Sequence, residues 1–440
     1  MRKVIVSLVV VLIAGVGGYF GVDYWAKYAV AREVDTLLDG WRASVGSATR
    51  GRIELDLWAR TVKITDVVVQ PRSEPHPKIA IGEVLASGID MSGKPARIEL
   101  IDVAMTDVRP GRPKTIVQQT APSITLTAFS TRAVPPRRVA TALDSARLWL
   151  EQFRATSAAR IEIPSLTVTT TQDTAGRKSA PSFTQSTYTN VVLSGVHDGK
   201  VAEASTDGIK LSGNVGPPFF ILKGEIGKSS ILDADVAPLL AFLDPSLPSG
   251  KPQGYQRVYR QVAIGPYTLQ MGIDPRTGMK IGVEGVVAHD IGLDPGKLSL
   301  DDLTFLSEVT GAAGSPGAMP VQPGQLTMLM DKMAGLYEGI SFGRLEVQGI
   351  AVNGLRERVK LASLRIERME KGRLGELALD ALDAKPPFGD PVTFSRFAFK
   401  GLDLANLMRM MGAELQAPPG QPPSFDRFAR MLSLLEGFEI

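Results

Sequence analysis

Residues 52–71 read RIELDLWARTVKITDVVVQP, and within them Val62, Ile64, Val67 and Val69 set out an apolar-x-apolar-x-x-apolar-x-apolar pattern. A regular strand changes face at every residue, so a spacing of three would turn the later side chains to the wrong side. An inserted bulge residue restores the original face and adds local twist. A tight turn at the x-x step is the alternative. The same pattern recurs over residues 98–105, 161–168, 298–305, 340–347, 359–366 and 392–399. The expected fold is therefore mainly β with interspersed amphipathic helices, an α+β class. Its sheets are elongated, twisted, antiparallel in type and apolar on one side.

Helical spacing interrupts the strands. Val30, Val34, Leu37, Leu38, Trp41 and Val45 predict an amphipathic helix that ends near Gly46. Val139, Leu143, Ala146, Leu150 and Phe153 predict another over 138–155. Shorter helices fit 235–243, 326–336, 404–411 and 425–435. A longer repeat surrounds them: MAGLYEGI at 333–340 matches MLSLLEGF at 431–438, an offset of 98 residues. DVAPLL at 235–240 resembles DLANLM at 403–408, and residues 255–260 resemble 425–430. The carboxyl half thus reads as helix, Pro/Gly-rich linker, helix and strands, in units of about 80–100 residues that stack on one another. Glu338-Gly339 and Glu436-Gly437 are expected to end helices with a left-handed glycine. The pattern stops at Ile440 where a strand begins. That reads as a fragment of a longer chain, or as a strand that docks differently.

At the other end, residues 4–24 read VIVSLVVVLIAGVGGYFGVDY after two positive side chains. About 20 apolar residues cross a bilayer as a helix, and the aromatic rings at the end of this run suit its interface. The basic start places the amino terminus in the cytoplasm and the bulk of the chain outside. A cleaved signal peptide ending at Ala29-Val30-Ala31 is the competing reading. The run exceeds the ~7–15 apolar residues of a signal peptide, which favours an anchor. The expected organisation is an anchor over 1–25, a juxtamembrane helix over 26–47, a β-rich module over 48–230 and degenerate repeats over 231–440, the last cut short if the chain is a fragment.

Composition narrows function. The chain of 440 residues has no cysteine and three histidines, which removes thiolate chemistry and makes an imidazole metal site or a Ser-His-Asp triad implausible. His197-Asp198 and His289-Asp290 are neighbours on strands, where side chains diverge. No phosphate loop, nucleophile elbow or HExxH stretch occurs. No enzyme activity, cofactor or metal is expected. The net charge is +3, yet nine basic residues against two acidic ones fall between 108 and 160. Arg132, Arg137, Arg138, Arg147 and Arg154 are candidates for contact with anionic lipid headgroups, weighed against an ordinary solvated face. Without aromatic interleaving, nucleic acid is not an expected partner. Met328, Met330, Met333, Met410 and Met411 read as core or as an adaptable apolar surface.

The anchor, the short helix and the strands at 52–71, KIAIGEVLASGIDM (78–91) and ARIELIDVAMTDVRP (96–110) together resemble the start of AsmA-like envelope proteins, including TamB-type relatives of Gram-negative bacteria. The resemblance covers residues 1–110. It implies a curved sheet anchored in the inner membrane and facing the periplasm. There an apolar concave face holds or conveys lipid acyl chains, or supports outer-membrane assembly. The partners so implied are the inner membrane through residues 4–25, phospholipid, or another envelope protein bound by a scaffold with a closed core.

Overall fold

The computed structural model describes residues 46–56, 58–71, 78–90, 94–109, 114–132, 142–173, 182–215, 220–243, 254–273, 278–299, 323–354, 357–386, 390–414 and 433–439, with isolated helical positions between 32 and 39 and at 302 and 305. In chain order the elements begin with β1 (Gly46–Thr49), β2 (Ile53–Asp56), β3 (Thr61–Pro71), β4 (Lys78–Ser87), β5 (Arg97–Arg109), β6 (Lys114–Thr127) and β7 (Ser130–Thr131). Helix α1 (Ala142–Arg154) precedes β8 (Thr156–Asp173), β9 (Ser182–Val196), β10 (Lys200–Thr206), β11 (Gly208–Val215), β12 (Phe220–Ile226) and β13 (Ser229–Asp235). Then come α2 (Ala237–Leu243), β14 (Gln256–Ile264), β15 (Tyr267–Gly272), β16 (Met279–Val283), β17 (Gly285–Leu293) and α3 (Pro323–Gly339). The last are β18 (Ile340–Asn353), β19 (Arg358–Glu370), β20 (Arg373–Lys385), β21 (Val392–Asp403), α4 (Leu404–Glu414) and β22 (Gly437–Glu439). The fold is mainly antiparallel β with few helices.

The chain divides into two units. One comprises residues 1–138, 151–230 and 267–279, the other 139–150, 231–266 and 280–440. In the first, β1 and β2 both pair with β3, followed by β4, β5, β6, β8, β9, β11, β12 and β15. In the second, β14, β17, β18, β19, β20, β21 and β22 pair in that order. β16 pairs with the last residues of β18, 351–353.

The x-x steps lie inside continuous strands, which rules out turns there. They also differ from simple bulges, because both strands of a pair step together. Thr65 faces Glu83 and Val67 faces Ile81, so Asp66 and Gly82 are skipped as a pair and the register is kept. Asp102 and Pro122 continue the same line across β5 and β6. Asp66 and Asp102 take left-handed φ of 53°, so each reverses the alternation once and returns the apolar side chains to one face. The line is a crease running across the strands. Asp and Asn tolerate this conformation better than most residues.

Over β3 to β5 that face is closed, while along β8 of the same unit Ile161, Ile163, Leu166 and Val168 are only half-buried. Val62, Ile64, Ile81, Val84, Ile98 and Leu100 are at most 1% exposed. Val34 and Leu38, four apart and helical, are equally buried, and Arg50 holds Asp35 through an ion pair of 2.7 Å. The helical segment therefore lays its apolar stripe on this sheet.

Helices α1 to α4 fall within or around the predicted spans. Asp235 and Asp403 each end a strand and start a helix: Asp235 Oδ1 accepts from Ala237 N (2.9 Å) and Asp403 Oδ1 from Asn406 N (3.0 Å). The paired DVAPLL and DLANLM copies are thus two N-caps. Several expectations are corrected. The described residues of 298–305 are in no strand: Leu298 and Ser299 follow the Pro295-Gly296 turn, where Asp294 Oδ1 accepts from Gly296 N (3.0 Å). Asp302 and Phe305 are helical. Neither Gly339 nor Gly437 is left-handed. Gly339 is needed for room instead, since a Cβ there would lie 2.4 Å from Leu298. Tyr255 and its successors open β14, not a helix. The anchor over 4–25 and residues 425–432 of the last expected helix lie outside the described residues, and Ser433, Leu434 and Leu435 are not helical. Among the described residues no helix is long and apolar enough to cross a membrane.

Candidate functional site

Strands β18 to β21 build an apolar face of a different kind. Two creases cross them. One passes through Gly343, Arg368, Gly375 and Gly401, the other through Gly349, Ala362, Ala381 and Ser395, six positions away on every strand. Left-handed residues occur on alternate strands: Arg368 (φ 47°) and Gly401 (63°) in the first crease, Gly349 (62°) and Ala381 (51°) in the second. The partners that are not left-handed are glycine, alanine or serine, which fits a place where two backbones bend together.

The creases keep apolar residues aligned in rows across four strands. Phe342, Met369, Leu374 and Leu402 form the first. Leu345, Ile366, Leu377 and Phe399 form the second. Val347, Leu364, Leu379 and Phe397 form the third, and Ile350, Leu361, Leu382 and Phe394 the fourth. Side chains directly opposite stand about 4.5–5.5 Å apart at Cβ, so each row is a contiguous strip. The Phe397 and Phe399 rings meet edge to face at 4.7 Å. Unlike the β3–β5 core, the second and third rows are half-buried throughout, and Val392 beside the fourth row is 52% exposed.

The opposite face carries charge. Arg396 binds Glu376 (2.6 Å) and Asp380 (3.4 Å), Arg365 binds Asp380 (3.3 Å), and Arg344 reaches Glu367 (3.5 Å). The Gln348 amide donates to Glu346 at 2.9 Å. That bond, with the Arg344 and Arg365 guanidinium groups nearby, holds the Glu346 carboxyl below the usual range. The sheet is thus two-sided, with one ionic surface and one greasy surface.

Helices α3 and α4 pack on each other. Thr327 Oγ1 donates to Gly412 O (2.9 Å), and Arg409 pairs with Glu338 (2.8 Å). That pair raises the Arg409 pKa, with the Glu338 hydrogen bond as the main cause. Met328 and Met411 stay exposed at 49% and 43%, and Met330 lies against Gly412, so the methionines divide between packing and surface.

Among the described residues, no hydrogen bond or ion pair joins His197 to Asp198 or His289 to Asp290. His197 Nδ1 sits 3.1 Å from Gly195 O, while Asp198 pairs with Arg132 instead. Asp290 is a crease residue (φ 51°) within 3.8 Å of Arg257. Among the described residues no group of three or more acidic or histidine side chains is placed to hold a metal. Of the basic candidates, Arg132 is engaged by Asp198, Arg147 and Arg154 lie on α1, and Arg137 and Arg138 fall outside the described residues.

Strand β20 escaped the sequence reading. Its apolar positions Leu374, Leu377, Leu379 and Leu382 carry the pattern in mirrored order, with x-x steps at both ends of a central pair. One small residue in each step, Gly375 and Ala381, is the signal that finds it. No protein-family model matches the chain, and neither does any curated protein or solved structure.

Proposed function

We propose that this chain is a non-enzymatic, single-pass inner-membrane protein with its bulk in the periplasm, and that it serves cell-envelope maintenance by holding or conveying lipid acyl chains along an apolar sheet face. One observation carries the reading. The rows of β18 to β21 are continuous and in register, and the second and third are half-buried throughout, while the opposite face carries the ion pairs. Apolar area left in water costs roughly 25 cal/mol per Å², so such a strip gains by taking up an apolar ligand. A flexible acyl chain fits rows without polar groups that would fix an orientation. The apolar amino-terminal run and the resemblance to AsmA-like proteins support the location.

The test is photo-crosslinking from the full-length chain in cells. Photoreactive residues replace Phe397 and Leu379 on the apolar face, and Lys360 and Glu367 on the other. Phospholipid adducts are expected from the first pair only. Absence of lipid at Phe397 and Leu379 defeats the proposal. An envelope protein crosslinked there in place of lipid would favour the second reading, an interaction scaffold with a closed core. The sealed interior of β3 to β5 is what favours that reading for the amino-terminal strands.

A further inference from the structure

One end of the first unit's sheet is apolar on both faces. β9, β11, β12 and β15 meet there, with Phe183 opposite Asn214, Asn214 opposite Ile221 and Ile221 opposite Gly272. On that row Phe183 is 38% exposed. Phe220 precedes Ile221 and Ile273 follows Gly272, so strand alternation puts both on the opposite face. They are 48% and 63% exposed. Scattered apolar side chains on a surface are ordinary. Three at adjacent register positions form a patch, and a patch marks a contact. A ligand lying along a sheet needs one face only. Apolar exposure on both faces suits an end that is immersed.

Charge is graded behind this end. The four strands hold only three charged residues, Lys210, Lys223 and Glu225. All three lie on the face of Phe183, and none is in its row. One row inward, about 7 Å along the strands, stand Gln185, Ser212, Lys223 and Gln270, which are amides, a hydroxyl and one cation. The acid Glu225 comes one row further still, opposite Lys210. Leu222 and Met271 follow Phe220 and Ile273 on the other face, both half-buried. Asp173, at the end of the neighbouring β8, lies opposite Lys114. In sequence, the connections that join these strand ends hold Arg177, Lys178 and Arg276 against Asp274. The order from the tip is therefore apolar, then neutral polar with a cation, then mixed charge. A bilayer leaflet presents hydrocarbon, headgroup and water in the same order.

We propose that this sheet end is a membrane-contact site. Phe183, Phe220 and Ile273 enter the boundary between headgroups and acyl chains, and Lys223 meets anionic headgroups. Lys223 stands three residues from Phe220, about 10 Å along β12, which matches the depth of about 5–10 Å to which interfacial apolar surfaces sink. The contact depends neither on the apolar amino-terminal run nor on the rows of β18 to β21.

The absence of cysteine lets one dye read one position. Ile273→Cys and Lys228→Cys, each in the full-length chain, carry an environment-sensitive dye in phosphatidylethanolamine/phosphatidylglycerol vesicles with or without brominated acyl chains. Lys228 lies past the other end of β12, about 26 Å from Phe220. Bromine is expected to lower emission at position 273 at least two-fold and to leave position 228 unchanged. Phe183→Glu and Phe220→Glu, added to Ile273→Cys, should abolish the quenching with the melting curve retained. Equal emission at position 273 with and without bromine overturns the contact. Equal quenching at 273 and 228, or quenching that survives the two glutamates, does the same, because the dye or another segment then accounts for it. In cells, a photoreactive residue in place of Ile273 should give phospholipid adducts. Protein adducts without lipid would assign this end to a protein partner and overturn the membrane contact.

Discussion

Gly401 and Gly349 hold φ of 63° and 62°, and a Cβ on either would come 2.2 Å from Glu436 or Glu284. A carboxylate arm can swing aside, but an L side chain in this conformation costs roughly 1–2 kcal/mol. Gly401→Ala is therefore expected to lower stability by about that amount in urea melts. Asp66→Gly should be neutral within about 0.5 kcal/mol, relief of strain offsetting a freer unfolded chain. Tyr255 acts through its hydroxyl, which donates to Glu338 O (2.7 Å) and accepts from Lys371 N (2.6 Å). Tyr255→Phe leaves both unsatisfied and should cost about 1–3 kcal/mol. Burial raises the Tyr255 pKa, outweighing the Lys371 N–H bond that lowers it. A raised folded pKa gives stability that is complete below the unfolded value near 10 and is lost as pH rises through the folded one. Wild type should thus lose urea resistance above about pH 10, and Tyr255→Phe should lose less over the same interval.

A crease works as an element, because its members bend together. At Ala381 the left-handed position (φ 51°) is filled by a residue that gains nothing from it. Ala381→Gly should raise stability by up to about 1 kcal/mol, and Ala381→Val should lower it by more, since a branched Cβ tolerates positive φ least. Equal effects of the two in chemical denaturation would mean that the crease relaxes and does not hold the rows. Arg365 and Arg396, reaching across β19, β20 and β21 to Asp380, brace the outer side of the same strands.

At the scale of the whole molecule, the same strand pattern occurs in two environments, sealed over β3 to β5 and half-buried over β8 and over β18 to β21. Ile81 is 1% exposed and packed on every side, so Ile81→Ala should cost about 2–5 kcal/mol. Leu379 is half-buried on its row, and Leu379→Ala should cost below about 2 kcal/mol, since part of its surface is already in water. The second variant should carry the larger functional loss: less phospholipid retained on purification, by mass spectrometry, with the melting curve nearly unchanged. A Leu379→Ala cost as large as that of Ile81→Ala would point to a filled core there.

Period two with a paired offset was enough to place β3, β5, β8, β18, β19 and β21 and their apolar side, because strand alternation is a local property of the backbone. The helices at 142–154, 323–339 and 404–414 were legible for the same reason. Residues 298–305 misled because their apolar spacing also suits a helical turn, and a Pro-Gly turn decided between them. Three further features are not local. That the offsets align into creases depends on which residue lies opposite, as Asp66 does Gly82, and pairing partners are far apart in sequence. That Val62 is sealed while Val347 is half-covered depends on what another segment brings over the face. That Trp58 is 99% exposed on the β2–β3 turn depends on where the neighbouring described elements lie. The sequence by itself determined the strands and which side of them is apolar; only the tertiary structure decided which of those faces is closed and which is left for a ligand, because burial belongs to the contact between elements and not to either one.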